Sequence, residues 1–251
     1  MGIFQAAFLG LLQGLTEFFP VSSSGHLVIG QKLLRLEQPP VLFDILVHLG
    51  TLLALVVYFR NKLFKFYKNF ENLKLIFIGS LPAALIGFFL NDYLESFFDS
   101  LAIVGFALFI TAGLLFSTFF ISRSVKNLNQ LNWRASLRIG FFQALALFPG
   151  ISRSGSTIVA GLWQKLDRKA AFDFSFYLGM PAMVGAVLMQ VSKFSQNNGQ
   201  LGYGLIGMVT AALFGFLTLN LLEKAVVRGK LIYFGFYCLF LGLAILLPGF
   251  I

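Results

Sequence analysis

The sequence predicts an all-α integral membrane protein built from two inverted repeats, each a re-entrant helix hairpin followed by three transmembrane helices. Three observations predict it. The 251 residues are 58% hydrophobic and only 12% charged, whereas a soluble domain carries about 25% charge; at this length the surrounding solvent has to be largely lipid. Long apolar runs lie near Val41–Phe59, Leu75–Leu90, Leu101–Ile121, Ala171–Val191, Tyr203–Leu222 and Leu231–Phe250, each close to the roughly 17–25 residues of a spanning helix. Two other apolar regions, 3–36 and 137–165, are broken by Pro20 and Gly25, and by Pro149, Gly150 and Gly155. Short broken pieces are the pattern of helices that enter a membrane and turn back.

The repeat is written in the residues. Gly10 through Gly25 aligns without a gap on Gly140 through Gly155, with seven of sixteen columns identical. Phe43-Asp44 returns as Phe172-Asp173, Leu49-Gly50 as Leu178-Gly179, and Ala83-Ala84-Leu85 as Ala211-Ala212-Leu213. Two halves follow, 1–125 and 126–251, within a single membrane domain. A hairpin returns to its own side and three spans cross over, so the second half is inverted relative to the first. Such repeats place their site at the repeat interface, at matched broken segments.

Charge orients the chain. If Val41–Phe59 runs inward, the inner loops are 60–74, 122–138, 163–170 and 223–230, and they hold fifteen of the nineteen basic residues. The outer side keeps Lys32, Arg35 and Lys193 beside Asp92, Glu95 and Asp99. This is the positive-inside pattern, with both termini outside. The net charge of +9 therefore reads as topology and contact with anionic lipid headgroups, not as nucleic-acid binding. The lone cysteine, Cys238, lies in an apolar run, permits no intrachain disulfide and reads as a buried, inert thiol. No removable signal peptide is expected.

Arg153 is the cation outside all these loops, within Pro149-Gly150-Ile151-Ser152-Arg153-Ser154-Gly155-Ser156-Thr157. An arginine at membrane depth costs about 2.5–3.5 kcal/mol on insertion scales, so it faces a partner or a polar cavity. A structural pair with Glu17 is one reading; an oxyanion ligand is the favoured one. Guanidinium binds phosphate through a planar fork. Ser152, Ser154, Gly155 and Thr157 belong to a small-residue turn whose amides suit an anion, and a helix starting there aims its positive dipole end at the same point.

The matched segment runs from Gln13 through Glu17 to Ser22-Ser23-Ser24-Gly25-His26. Gln13 and Glu17 are four apart and share a helix face. Glu17 is the only acid in the stretch. One turn thus offers a carboxylate, hydroxyl nucleophiles and an imidazole. His48 lies inside a spanning run and reads as packed or hydrogen-bonded. Asp44 and Asp173 read as helix-start residues that complement the dipole.

At these residues the sequence resembles the undecaprenyl-diphosphate phosphatase family, known also for bacitracin resistance. The first family pattern is met by Gln13, Glu17 and Ser22-Ser23-Ser24-Gly25-His26, the second by Pro149 through Thr157, and the two-half layout covers essentially the whole chain. The resemblance implies hydrolysis of undecaprenyl diphosphate to the monophosphate and inorganic phosphate, recycling the lipid carrier of peptidoglycan synthesis. It implies dependence on a divalent cation and a site open to the outer face of the bacterial cytoplasmic membrane. On this reading Arg153 holds the terminal phosphate with the surrounding serines and glycines, Ser22, Ser24, Gly25, Ser152, Ser154, Gly155 and Thr157 among them. Ser23 is the preferred nucleophile and His26 the acid–base group, with His26 as the competing nucleophile. Glu17 orients His26 or, with Gln13, binds Mg²⁺ or Ca²⁺. Where the family has Glu at the first position, this chain has Gln13, which is no base. The partners expected are the lipid substrate and membrane lipids; the sequence leaves homodimerisation open. A transporter of polyprenyl phosphate is the alternative, since inverted repeats with a mid-membrane site are also a transporter design.

Overall fold

A computed structural model of the protein describes residues 1–34, 36, 41–95, 97, 100–121, 125–192 and 201–247 and, of 91, 92, 94, 95 and 192, the backbone alone. Arg35, Asp99, Arg123, Lys193, the side chains of Asp92 and Glu95, and the end of the run to Phe250 lie outside the described residues. In chain order the α-helices are α1 (Ile3–Thr16), α2 (Ser23–Leu33), α3 (Val41–Tyr67), α4 (Phe70–Glu95), α5 (Leu101–Ser117), α6 (Trp133–Leu145), α7 (Arg153–Trp163), α8 (Arg168–Ser192), α9 (Leu201–Val227) and α10 (Leu231–Leu246). Five stretches, within α3, α4, α8 and α9 and from α5 through Phe120, are long and apolar enough to cross a membrane. The sixth, α10, has 16 residues and rises about 24 Å. Phenylalanines such as Phe88 (77% exposed) and Phe89 (73%) point outward from this bundle, as expected where the outer medium is lipid.

The broken regions are pairs of short helices, α1 with α2 and α6 with α7. Equivalent serines start the second helix of each pair. Ser22 Oγ accepts from the Gly25 amide at 3.3 Å, and Ser152 Oγ accepts from the Gly155 amide at 3.1 Å; each satisfies one of the orphan donors of a first helical turn. Segment 60–74, read from its charge as a loop, is mostly helical. α3 continues to Tyr67 because Arg60, Lys62 and Lys65 are adequate helix formers and their heads can reach beyond the apolar zone. The turn is only Lys68-Asn69, and Asn69 Oδ1 caps the next helix through the Glu71 amide at 2.9 Å.

Packing crosses between the sequence halves. α1 lies against α9, α6 against α4, α3 against α9, and α5 against α10. The first two crossings are closed by glycine. A Cβ on Gly10 would fall 2.8 Å from the Cα of Gly207, and one on Gly140 would fall 3.0 Å from the Cα of Gly79. Backbones this close leave no room for a side chain, the usual means of tight helix approach in lipid. The supports of the two turns are also exchanged. Thr111 on α5 donates to the carbonyl of Gly150 at 2.9 Å and accepts from the Ser152 amide at 3.0 Å. Cys238 on α10 lies 3.6 Å from the carbonyl of Pro20, with its thiol as donor.

The α6/α4 crossing yields a prediction. Gly140→Val forces the two helices apart and destabilises the bundle by about 1–3 kcal/mol or more, measured as a lowered unfolding midpoint in detergent. Gly113→Ala, where an added Cβ meets nothing within 4 Å, leaves the midpoint unchanged or slightly raised.

Candidate active site

The turns joining α1 to α2 and α6 to α7 meet face to face. The Gly150 amide donates to Ser22 Oγ at 3.1 Å, and Ser154 Oγ donates to the Phe19 carbonyl at 3.3 Å. Ser22 has φ 69°, a left-handed conformation that costs a non-glycine residue about 1–3 kcal/mol and tends to mark functional turns. Its hydroxyl, held by two amides, offsets that cost. Between the turns, α3 and α8 lies a cavity of 240 Å³ whose polar lining includes Glu17, Ser22, Ser23, Ser24, His48, Ser152 and Arg153. Ala182, Met183 and Ala186 of α8 contribute an apolar wall. Because α2 and α7 both begin here, the positive ends of two helix dipoles converge on the same space.

Glu17 and Arg153 form the centre of the site. Arg153 Nη2 lies 3.0 Å from Glu17 Oε1, and the two side chains are only 15% and 9% exposed. The other carboxylate oxygen accepts from Ser23 Oγ at 2.7 Å and from Gln13 Nε2 at 3.1 Å. Arg153 Nη1 is buried and has no hydrogen-bond partner among the described residues, and the same holds for Gln13 Oε1. The guanidinium is fixed from outside by α8. It lies 5.8 Å from the centroid of Phe176, within cation–π range, and a Cβ built on Gly179 would collide with it. Phe18, fully buried, packs edge-on against Phe176 at 5.6 Å and ties this wall to the Glu17 turn.

The remaining sequence-predicted residues divide into two groups. Ser22, Ser23, Ser24 and Ser152 line the cavity. Gly25, His26, Ser154, Gly155 and Thr157 are not among its lining residues. Thr157 Oγ1 pairs with Ser175 Oγ at 2.6 Å, and a Cβ on Gly155 would sit 3.1 Å from Pro20, so both serve helix packing. His26 is engaged at both ring nitrogens: Nδ1 with the Ser22 carbonyl at 2.7 Å, Nε2 with the Tyr237 hydroxyl at 2.7 Å. A carbonyl only accepts, so Nδ1 carries the proton and Nε2 accepts from Tyr237. The hydrogen bonds of Ser23 and Glu17 do not include His26; they join these two residues directly.

Four participants escaped the sequence reading. His48 lines the cavity, Gly179 seats Arg153, Thr111 holds the second turn and Tyr237 engages His26. Gly179 left a trace as the repeat partner of Gly50. Thr111 and Tyr237 sit in unbroken apolar runs, where nothing local marks them.

The fold and this cavity define a multi-pass membrane protein with a polar cavity between two broken helix pairs, where a guanidinium, a carboxylate and serine hydroxyls meet. The model of the family described as bacitracin resistance protein BacA matches residues 6–244, and the chain belongs to that family. It is 39% identical, over the full length of both chains, to a protein of Desulforapulum autotrophicum named undecaprenyl-diphosphatase. A protein of the same name from Carboxydothermus hydrogenoformans is 40% identical, with 98% of this chain and 97% of that one aligned. Undecaprenyl-diphosphatase 3 of Bacillus cereus is 37% identical over the same shares of the two chains.

The seat of Arg153 can be tested on α8. Gly179→Leu displaces the guanidinium and breaks a buried ion pair, a loss of about 3–5 kcal/mol, read as a lowered unfolding midpoint. Gly185→Leu on the same helix, where an added Cβ meets nothing within 4 Å, changes the midpoint little.

Proposed function

We propose that this protein hydrolyses undecaprenyl diphosphate to undecaprenyl phosphate and inorganic phosphate, recycling the lipid carrier of cell-wall synthesis. The observation that carries the reading is the Ser23–Glu17–Arg153 chain, in which a hydroxyl donates to a carboxylate and a buried guanidinium keeps one NH₂ group unpartnered among the described residues. The names of the relatives agree with it. Arg153 Nη1 and the first-turn amides of α2 and α7 bind the terminal phosphate and stabilise charge as it develops on the phosphoryl oxygens. Ser23 Oγ attacks phosphorus and its proton passes to Glu17. The bond from phosphorus to the bridging oxygen breaks, and the proton goes on to the departing undecaprenyl phosphate. Water then attacks the phosphoserine: its hydroxyl joins phosphorus, the bond from phosphorus to Ser23 Oγ breaks, its proton passes to Ser23 Oγ, and inorganic phosphate leaves. His26, committed to Ser22 and Tyr237, acts as a positioning residue for the first turn of α2.

A divalent cation fits the donor set. Glu17, which caps α1, stands one turn after Gln13 and accepts from its Nε2, and Gln13 Oε1 is a buried oxygen without a partner among the described residues. Mg²⁺ commonly takes one or two carboxylates and completes its shell with water and substrate phosphate, and Ca²⁺ also selects oxygen. Glu17 and Gln13 are the residues that would hold it. Bound there, the cation supplies neutralisation of phosphate charge. The two halves, 1–125 and 126–251, are proposed to be inverted in the cytoplasmic membrane with the cavity open to the outer side; the support is that fifteen of the nineteen basic residues lie in 60–74, 122–138, 163–170 and 223–230, the segments that this orientation sets inside.

Phosphate release from undecaprenyl diphosphate by purified protein in detergent tests the reading. Wild type turns over with Mg²⁺ or Ca²⁺ and stops on chelation. Arg153→Ala loses at least about 10²-fold in kcat, as for removal of an oxyanion donor. Ser23→Ala is inactive while His26→Ala keeps measurable turnover; the reverse order contradicts the nucleophile assignment. A folded wild type inactive with both cations contradicts the phosphatase reading.

A further inference from the structure

The cavity contains an imidazole, and it is not the one in the serine-rich turn. Among the residues lining it the ionisable side chains other than hydroxyls are Glu17, Arg153 and His48. His48 reaches it from α3, a helix that belongs to neither broken pair. Its Nδ1 lies 2.7 Å from the backbone carbonyl of Asp44, one turn earlier. That carbonyl only accepts, so Nδ1 carries the ring proton and Nε2 presents its lone pair. The ring is fixed at one edge, its other nitrogen has no hydrogen bond among the described residues, and the side chain is half-buried. This is the manner in which a histidine is oriented for a ligand, one nitrogen set by the bond the other makes. His26 shares the carbonyl anchor at Nδ1 but differs in the rest, since its Nε2 is taken by Tyr237 and it is absent from the lining.

Charge in the cavity supplies the second argument. A diphosphate brings more than one negative charge. The opposing protein charge is Arg153, whose Nη2 already serves Glu17. The serine hydroxyls are partly spent on one another and on the turns: Ser22 on the Gly25 and Gly150 amides, Ser24 on Ser22 at 3.2 Å. A phosphate held by Arg153 Nη1 therefore lacks a second strong side-chain partner from this chain unless His48 provides it.

We propose that His48 is a substrate-binding residue that contacts the diphosphate through Nε2. One proton bridges Nε2 and a phosphate oxygen, carried by the ring or by the phosphate hydroxyl; in either case the bond is charge-assisted. Together, Arg153 from α7 and His48 from α3 grip the diphosphate from opposite elements of the cavity. The inference rests on the phosphatase reading and names a further contact within that site. The ligand class is a diphosphate or a phosphate monoester, and the lipid tail is not required for this contact.

The experiment compares wild type, His48→Gln and His48→Leu in two assays: steady-state turnover of undecaprenyl diphosphate, and thermal stabilisation by inorganic diphosphate without the lipid. His48→Leu raises KM and weakens inorganic diphosphate by about 10–100-fold, the range for a hydrogen bond to a charged group, while kcat stays within about threefold. His48→Gln, which keeps a polar reach, retains most of the affinity. A merely structural role for His48 instead lowers the ligand-free unfolding midpoint of the variants and leaves KM and diphosphate affinity unchanged, and that result overturns the proposal. Absence of turnover in wild type contradicts the phosphatase reading alone, because the inorganic diphosphate assay still reads the contact.

Discussion

A carboxylate and a guanidinium, both at most 15% exposed, face each other at 3.0 Å inside a bundle surrounded by lipid. Neither charge is tolerable there alone, and together they stabilise the fold only if the remaining lone pairs and protons are satisfied. Much of the architecture answers that requirement. The carboxylate accepts from Ser23, Gln13 and Arg153. The guanidinium is seated on Gly179 and Phe176. One requirement of the pair is left unmet: Arg153 Nη1 is buried without a partner among the described residues. A buried donor with nothing to bind is a cost to the folded protein and an affinity for whatever anion enters.

The two aligned turns share a scaffold and carry different side chains. Ser22 and Ser152 cap α2 and α7 in the same way, and each turn is braced from the fifth helix of the other half. The alignment that matches these serines also sets Ser23 opposite Arg153 and Glu17 opposite Leu147. One helix start therefore carries the hydroxyl and the equivalent start carries the cation. Both dipoles point into the shared cavity, so in the proposed reaction the scaffold would favour an anion twice and the departures from the repeat would supply the reactive groups.

This division explains what could be read from the sequence. Arg153 was legible because a lone arginine in an apolar stretch has few physical excuses, and Glu17 because it was the one acid in the matched segment. Pro20, Pro149 and the adjacent glycines marked the breaks. The surroundings of the histidines were not legible. His26 stands three residues from Ser23, yet Tyr237, far along the chain, engages its Nε2. His48 looked like part of a spanning helix and is one, but α3 passes the cavity at that turn. Contacts of this kind are set by which helices meet, and apolar periodicity does not encode that in lipid, where every face of a helix is hydrophobic. Helix ends were misjudged for a related reason: apolar runs report membrane thickness, whereas α3 ends where its backbone finds a turn at Lys68-Asn69.

The central claim is that the space between Ser23 and Arg153 is where phosphorus reacts. Orthovanadate, which adopts the five-coordinate geometry of phosphoryl transfer, locates that point directly in an experimental structure of the wild-type protein. The account predicts vanadium bonded to Ser23 Oγ, with an equatorial oxygen on Arg153 Nη1. Vanadium bonded to a nitrogen of His26, or bound outside the cavity between the two turns, would contradict it.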